Sequence, residues 1–83
     1  MTSELCATLR SNAFFVAYVK RTAHRYFHNL ENAEDAEAEA WEKLQAAPDA
    51  LPINDYLDIA RRAISSMYMR QWRKRKQLFR RKT

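Results

Sequence analysis

With 83 residues, 47% of them hydrophobic, and a formal charge of +5, the chain can bury one modest core and is too apolar to be a disordered polyelectrolyte. It has no glycine and one cysteine, Cys6, so tight hairpin turns are hard to build and an internal disulfide is excluded. No apolar run reaches membrane-spanning length, and the N-terminus lacks the basic-then-apolar order of a secretion signal. The expectation is one all-α domain over residues 1–83, rich in good helix formers, in a reducing cytoplasm and away from any membrane.

In chain order, Thr2 or Ser3 can cap a first helix. Leu9, Ala13, Val16, Val19, Ala23, Tyr26 or Phe27, and Leu30 follow at the three-and-four spacing of one helix face. Ser11-Asn12 offers a second cap, where this helix can break. Phe14, Phe15 and Tyr18 widen the apolar face, which predicts packing against two neighbours. His24 and His28 lie one turn apart and, with Cys6, invite a metal reading. A closed zinc site takes four ligands and no fourth stands at a suitable spacing, so the two histidines read as ordinary residues near a helix end. No metal or cofactor is expected.

Asn32 is the predicted cap of a second helix, with Asp35 reaching back to it and Glu34 and Asp35 favouring the positive end of the helix dipole. Ala33, Ala36, Ala40, Trp41, Leu44 and Ala47 mark its inner face. The small alanines allow a close approach, and Trp41 is the one large anchor, expected to be largely buried. Glu31 to Glu42 holds six acids and no base. Such a run is ordinarily a solvated face, and here it also predicts a negative surface well away from the basic end.

Pro48 and Pro52 end this helix and form the one linker. Asn54 is the predicted cap of a third helix, whose inner face reads Leu57, Ala60 or Arg61, Ile64, Met67 or Tyr68, and Gln71. Asp58, Arg62, Ser65, Ser66, Met69 and Arg73 fall on its other side. The architecture expected is a three-helix bundle whose last helix projects as a basic extension over residues 70–83.

That extension carries eight bases and no acid, leaving seven of the fifteen bases against all ten acids over residues 1–69. An anionic body ending in a cationic helix suits an adaptor that holds a polyanion with one end and another partner with the other. Arg70, Arg73, Lys74, Arg75 and Lys76 are the candidate phosphate contacts. Tyr68 and Trp72, interleaved with Arg70 and Arg73, can stack on unpaired bases, or can simply belong to the core and close the end of the bundle. No nucleophile with a base partner and no phosphate-cradling glycine loop is present, so no catalysis is expected.

The order Ala33-Glu34-Asp35, an acidic helix closed by Trp41 and Leu44, a proline loop, and Tyr56-Leu57-Asp58-Ile59-Ala60-Arg61 running into a basic cluster resembles the second conserved region of bacterial sigma factors. The small extracytoplasmic-function type is the nearest, and the resemblance spans roughly residues 14–76. It implies that the acidic helix, at Glu39 flanked by Asp35 and Glu42, docks on a coiled coil of core RNA polymerase. It also implies that the loop from Pro48 to Asn54, with Arg61, Arg62 and Ser66, meets the melted, single-stranded minus-ten promoter DNA and holds a flipped base. An anti-sigma-like regulator is a further implied partner. The chain departs from the family with Ala38 in place of glutamine, Arg62 in place of asparagine and Ser66 in place of an acid, and arginine favours phosphate over a base edge. Complete members add a C-terminal helix-turn-helix domain that this sequence does not match, so the chain is expected to be either an excised domain or a stand-alone relative. A non-specific nucleic-acid-binding protein and a purely helical interaction module are the alternatives.

Overall fold

The computed structural model describes residues 3–81, with side chains over residues 4–74. The protein is all-α, with four helices among the described residues: α1 (Ser3–Ser11), α2 (Ala13–Tyr26), α3 (Leu30–Gln45) and α4 (Ile53–Arg81). The first predicted helix is thus two. Asn12 breaks it in an extended conformation (φ −81°, ψ 107°), and its side chain accepts a hydrogen bond from the Phe15 amide at 3.1 Å.

Two predicted caps move. Asn29, not Asn32, caps α3: its Oδ1 accepts from the amides of Glu31 at 2.9 Å and Asn32 at 3.3 Å. Both residues are asparagine. Starting at the earlier one gains further intrahelical bonds, among them Ala33 N–H to the Asn29 carbonyl at 2.9 Å, and places Asn32 in the first turn. Asn54 is likewise inside the first turn of α4, because the Pro52 carbonyl accepts from the Asp55 and Tyr56 amides at 3.0 and 3.4 Å and starts the helix two residues sooner.

The α3–α4 connection turns without glycine. Ala50 takes the left-handed conformation, φ 63°, that glycine would ordinarily supply. Tyr56, 3% exposed, fastens this loop: its hydroxyl donates to the Pro48 carbonyl at 2.8 Å and accepts from the Leu51 amide at 3.3 Å.

Helices α2, α3 and α4 each pack on the other two, and α1 lies across α2 and α3. The core joins Phe15, Val19 and Ala23 of α2 to Ala33, Ala36, Ala40 and Leu44 of α3 and to Tyr56, Ala60, Ala63 and Ile64 of α4. The alanines of α3 face inward as expected and bring its neighbours close. Trp41 is a correction. It is only half-buried, beside Phe15 (ring centroids 5.7 Å apart), with the Arg10 guanidinium 5.1 Å above its ring. Residues 33, 36, 40, 44 and 47 already fill the inward face, and position 41, about 100° round from 40, falls on its flank beneath α1. Phe14, expected to widen the apolar face, is 77% exposed, and Phe15 is the fully buried ring.

At 29 residues α4 is about 43 Å long, against about 24 Å for the 16 residues of α3. The surplus makes the molecule elongated, 51 × 23 × 18 Å, and carries the basic end beyond the packed helices.

Candidate nucleic-acid interface on helix α4

The basic positions divide into three groups. Arg61 and Arg62 share one partner, Asp58: Arg61 reaches Oδ1 at 2.7 Å and Arg62 reaches Oδ2 at 2.9 Å. The hydrogen bond from Arg61, followed by the nearby charge of Arg62, holds the Asp58 carboxyl below its ordinary 3.8, and the same bond raises the pKa of Arg61. Both arginines are exposed, but their charge is met locally by the i,i+3 and i,i+4 geometry of one helix. Arg73 and Lys74, farther along α4, are exposed where the helix leaves the bundle. Arg75 and Lys76 continue α4, and their side chains lie outside the described residues.

Arg70 behaves differently. Its guanidinium meets Glu39 Oε1 of α3 at 3.2 Å. A hollow of about 150 Å³ beside this pair is lined by Lys43, Ala63 and Ser66. The acidic surface is therefore not remote from the basic end, contrary to the expectation from the charge pattern. α4 packs along α3, so the candidate DNA residues Ser66 and Arg70 come to the same seam as the candidate polymerase residue Glu39. Asp35 and Glu42, four before and three after Glu39 on α3, are exposed. Glu39 itself is partly covered.

Where α4 passes the α2–α3 turn there is a second opening, a cleft of about 330 Å³. One wall is aromatic. Tyr68 stacks obliquely on Tyr26 with centroids 5.3 Å apart and meets Phe27 edge-on at 5.9 Å, while Trp72 is 46% exposed beside them. The other wall is polar, from His28, Asn29, Asn32 and Gln71. Tyr68 thus edges the core and Trp72 stays open to solvent. The sequence gives Asn29 no evident role, offers Asn32 only as a cap, and shows Tyr26 only as an alternative to Phe27 on an apolar face. The available signal was the spacing of Tyr68, Gln71 and Trp72, which share one side of a helix.

Among the described residues no group of three His, Cys, Asp or Glu side chains could hold a metal ion, and no helix is long and apolar enough to cross a membrane. Cys6 of α1 is buried, and among the described residues His24 Nε2 is buried without a hydrogen-bond partner. Comparison with protein-family models, curated proteins and solved structures returns no match.

Proposed function

We propose that the chain is a sigma-factor-like DNA-binding domain that meets DNA along the distal half of α4 and core RNA polymerase along the Asp35, Glu39 and Glu42 stripe of α3. The observation that carries the reading is the continuity of α4 as one helix from the core positions Tyr56, Ala60 and Ile64 to Arg81, which sends a run of cations past the end of the bundle. Residues 70–81 cover about 17 Å of helix axis, and duplex DNA carries a charge about every 1.7 Å, so several phosphates fall within reach of this stretch. The promoter and polymerase assignments rest on the sequence resemblance. Four residues of that resemblance, Ala33, Leu44, Tyr56 and Ala60, are core positions here, so that part of the likeness speaks for packing.

A second reading, a nucleic-acid-binding protein without promoter recognition, is favoured by the ion pairs. Asp58 occupies Arg61 and Arg62 and Glu39 occupies Arg70, which leaves the distal cations, contacts of the sequence-independent kind, as the dominant field. Affinity capture of core RNA polymerase by the chain, run beside DNA binding at physiological salt, separates the two. Capture that is lost on changing Glu39 and Glu42 to lysine supports the sigma-type reading. DNA binding without capture supports the second. Neither activity leaves only a helical interaction module.

A further inference from the structure

The cleft at the α2–α3 turn has a chemistry unlike the rest of the surface. Its aromatic wall, Tyr26, Tyr68 and Trp72, offers π-faces, and facing it are primary amides, each with donors and an acceptor on one group. The side-chain amides of Asn32 and Gln71 belong to half-buried residues and make no hydrogen bond to any described residue. Asn29 has committed its carbonyl oxygen to the start of α3, which leaves its NH2 as a donor. Among the described residues no carboxylate, lysine or arginine lines the cleft. Exposed cations adjoin its wall in sequence, Arg25 before Tyr26 and Arg73 after Trp72.

A phosphate entering this cleft would find no lysine or arginine among the described lining residues to meet it, and a purely apolar ligand would strand the amides. A neutral, planar heterocycle satisfies both walls, stacking on the rings and pairing its edge with the amides, while a backbone attached to it runs over the flanking cations. Resting on the nucleic-acid reading above, we infer that this cleft is a binding site for one unpaired base of a single strand. It is a different place from the Pro48 to Asn54 loop where the sequence resemblance puts a flipped base. The cleft sits at the N-terminal end of α3 and that loop follows its C-terminal end, about 24 Å away along the helix.

The test measures fluorescence anisotropy of the full chain with oligodeoxythymidylate and with a base-free sugar–phosphate oligomer of the same length, which keeps the charge and removes the rings. One stacked base is worth about 1–3 kcal/mol, so the base-bearing strand is expected to bind about 5- to 150-fold more tightly. Trp72→Ala and, separately, Gln71→Ala should bring that ratio toward one. Arg73→Gln should weaken binding to both oligomers and keep the ratio. Far-UV circular dichroism checks each fold, and Gln71→Ala decides the matter if Trp72→Ala loses helicity. Equal affinity of the native chain for both oligomers overturns the base site and leaves the phosphate reading standing. A ratio that survives both variants overturns its location. Binding to neither oligomer overturns the site together with the nucleic-acid reading.

Discussion

Arg70 of α4 and Glu39 of α3 are joined side chain to side chain at 3.2 Å across 31 residues of sequence. One end of the proposed DNA surface is therefore tied to the proposed polymerase surface. Arg70 is 59% exposed and Glu39 26%, so the pair contributes only about 0.2–1 kcal/mol to stability, and a double-mutant cycle in urea with Arg70→Gln and Glu39→Gln measures that coupling. Its larger consequence is for binding. Glu39→Gln releases a cation and removes a repelling carboxylate, and is expected to tighten DNA binding and to steepen the log–log salt slope by about 0.7–0.9, as for one added phosphate contact. An unchanged slope would show that Arg70 does not reach DNA.

Asp58 gives the clearest pH dependence. Its folded pKa lies below 3.8, so it takes up a proton less readily in the folded chain than in the unfolded one. Its contribution to stability is present above 3.8 and is lost as pH falls below that value through the lower folded pKa. Arg61 stays charged throughout and adds no pH dependence of its own. The thermal midpoints of the native chain and of Asp58→Asn are expected to differ near neutrality and to converge as pH drops from about 5 to about 2. Added salt should shrink the difference, because all three groups face solvent. With Asp58 neutralised, Arg62→Gln should weaken binding to all DNA sequences alike if Arg62 meets phosphate, and should change base preference only if it reaches a base edge.

Phe15 and Trp41 touch, yet only Phe15 is closed off from solvent. Phe15→Ala should cost about 3–5 kcal/mol, enough to unfold a domain of this size. Trp41→Ala should cost clearly less, and Arg10→Ala about 0.5–1 kcal/mol through loss of the cation over the indole. Chemical denaturation of the three variants gives the order, and a Trp41 loss as large as that of Phe15 would contradict the flanking position.

The loop between α3 and α4 hangs on Tyr56. Tyr56→Phe removes the donor to Pro48 and the acceptor for Leu51, and is expected to cost about 1–3 kcal/mol. Ala50→Gly should instead stabilise the chain by up to about 1 kcal/mol, since relief of the left-handed strain exceeds the extra freedom glycine brings to the unfolded state. Thermal midpoints moving in opposite directions check both.

Asn29 and Asn32 separate capping from recognition. Asn29→Ala should cost about 1 kcal/mol of stability and Asn32→Ala much less, because only Asn29 holds the α3 amides. Helix content and urea midpoints of the two variants read this directly.

The helical class, the cap at Asn12, the proline-bounded loop and the inward alanines of α3 were legible in the sequence, because each depends on residues within a turn or two of one another. The basic end was legible for the same reason: a run of charge is a local property. What escaped were relationships between segments. Two asparagines three residues apart are equally competent caps, and the turn out of α2 together with the packing of α3 decides for Asn29. Trp41 has the size of an anchor, but Ala40 and Leu44 occupy the inner face and leave it on the edge. Charge along the chain separates the acidic helix from the basic one, whereas the packing of α4 against α3 brings Glu39 to Arg70. The cleft of Tyr26, Asn32, Tyr68, Gln71 and Trp72 draws on three helices, so no stretch of sequence displays it. Periodicity and capping are encoded over a few residues, but a site assembled between helices exists only after their apolar faces have chosen one another.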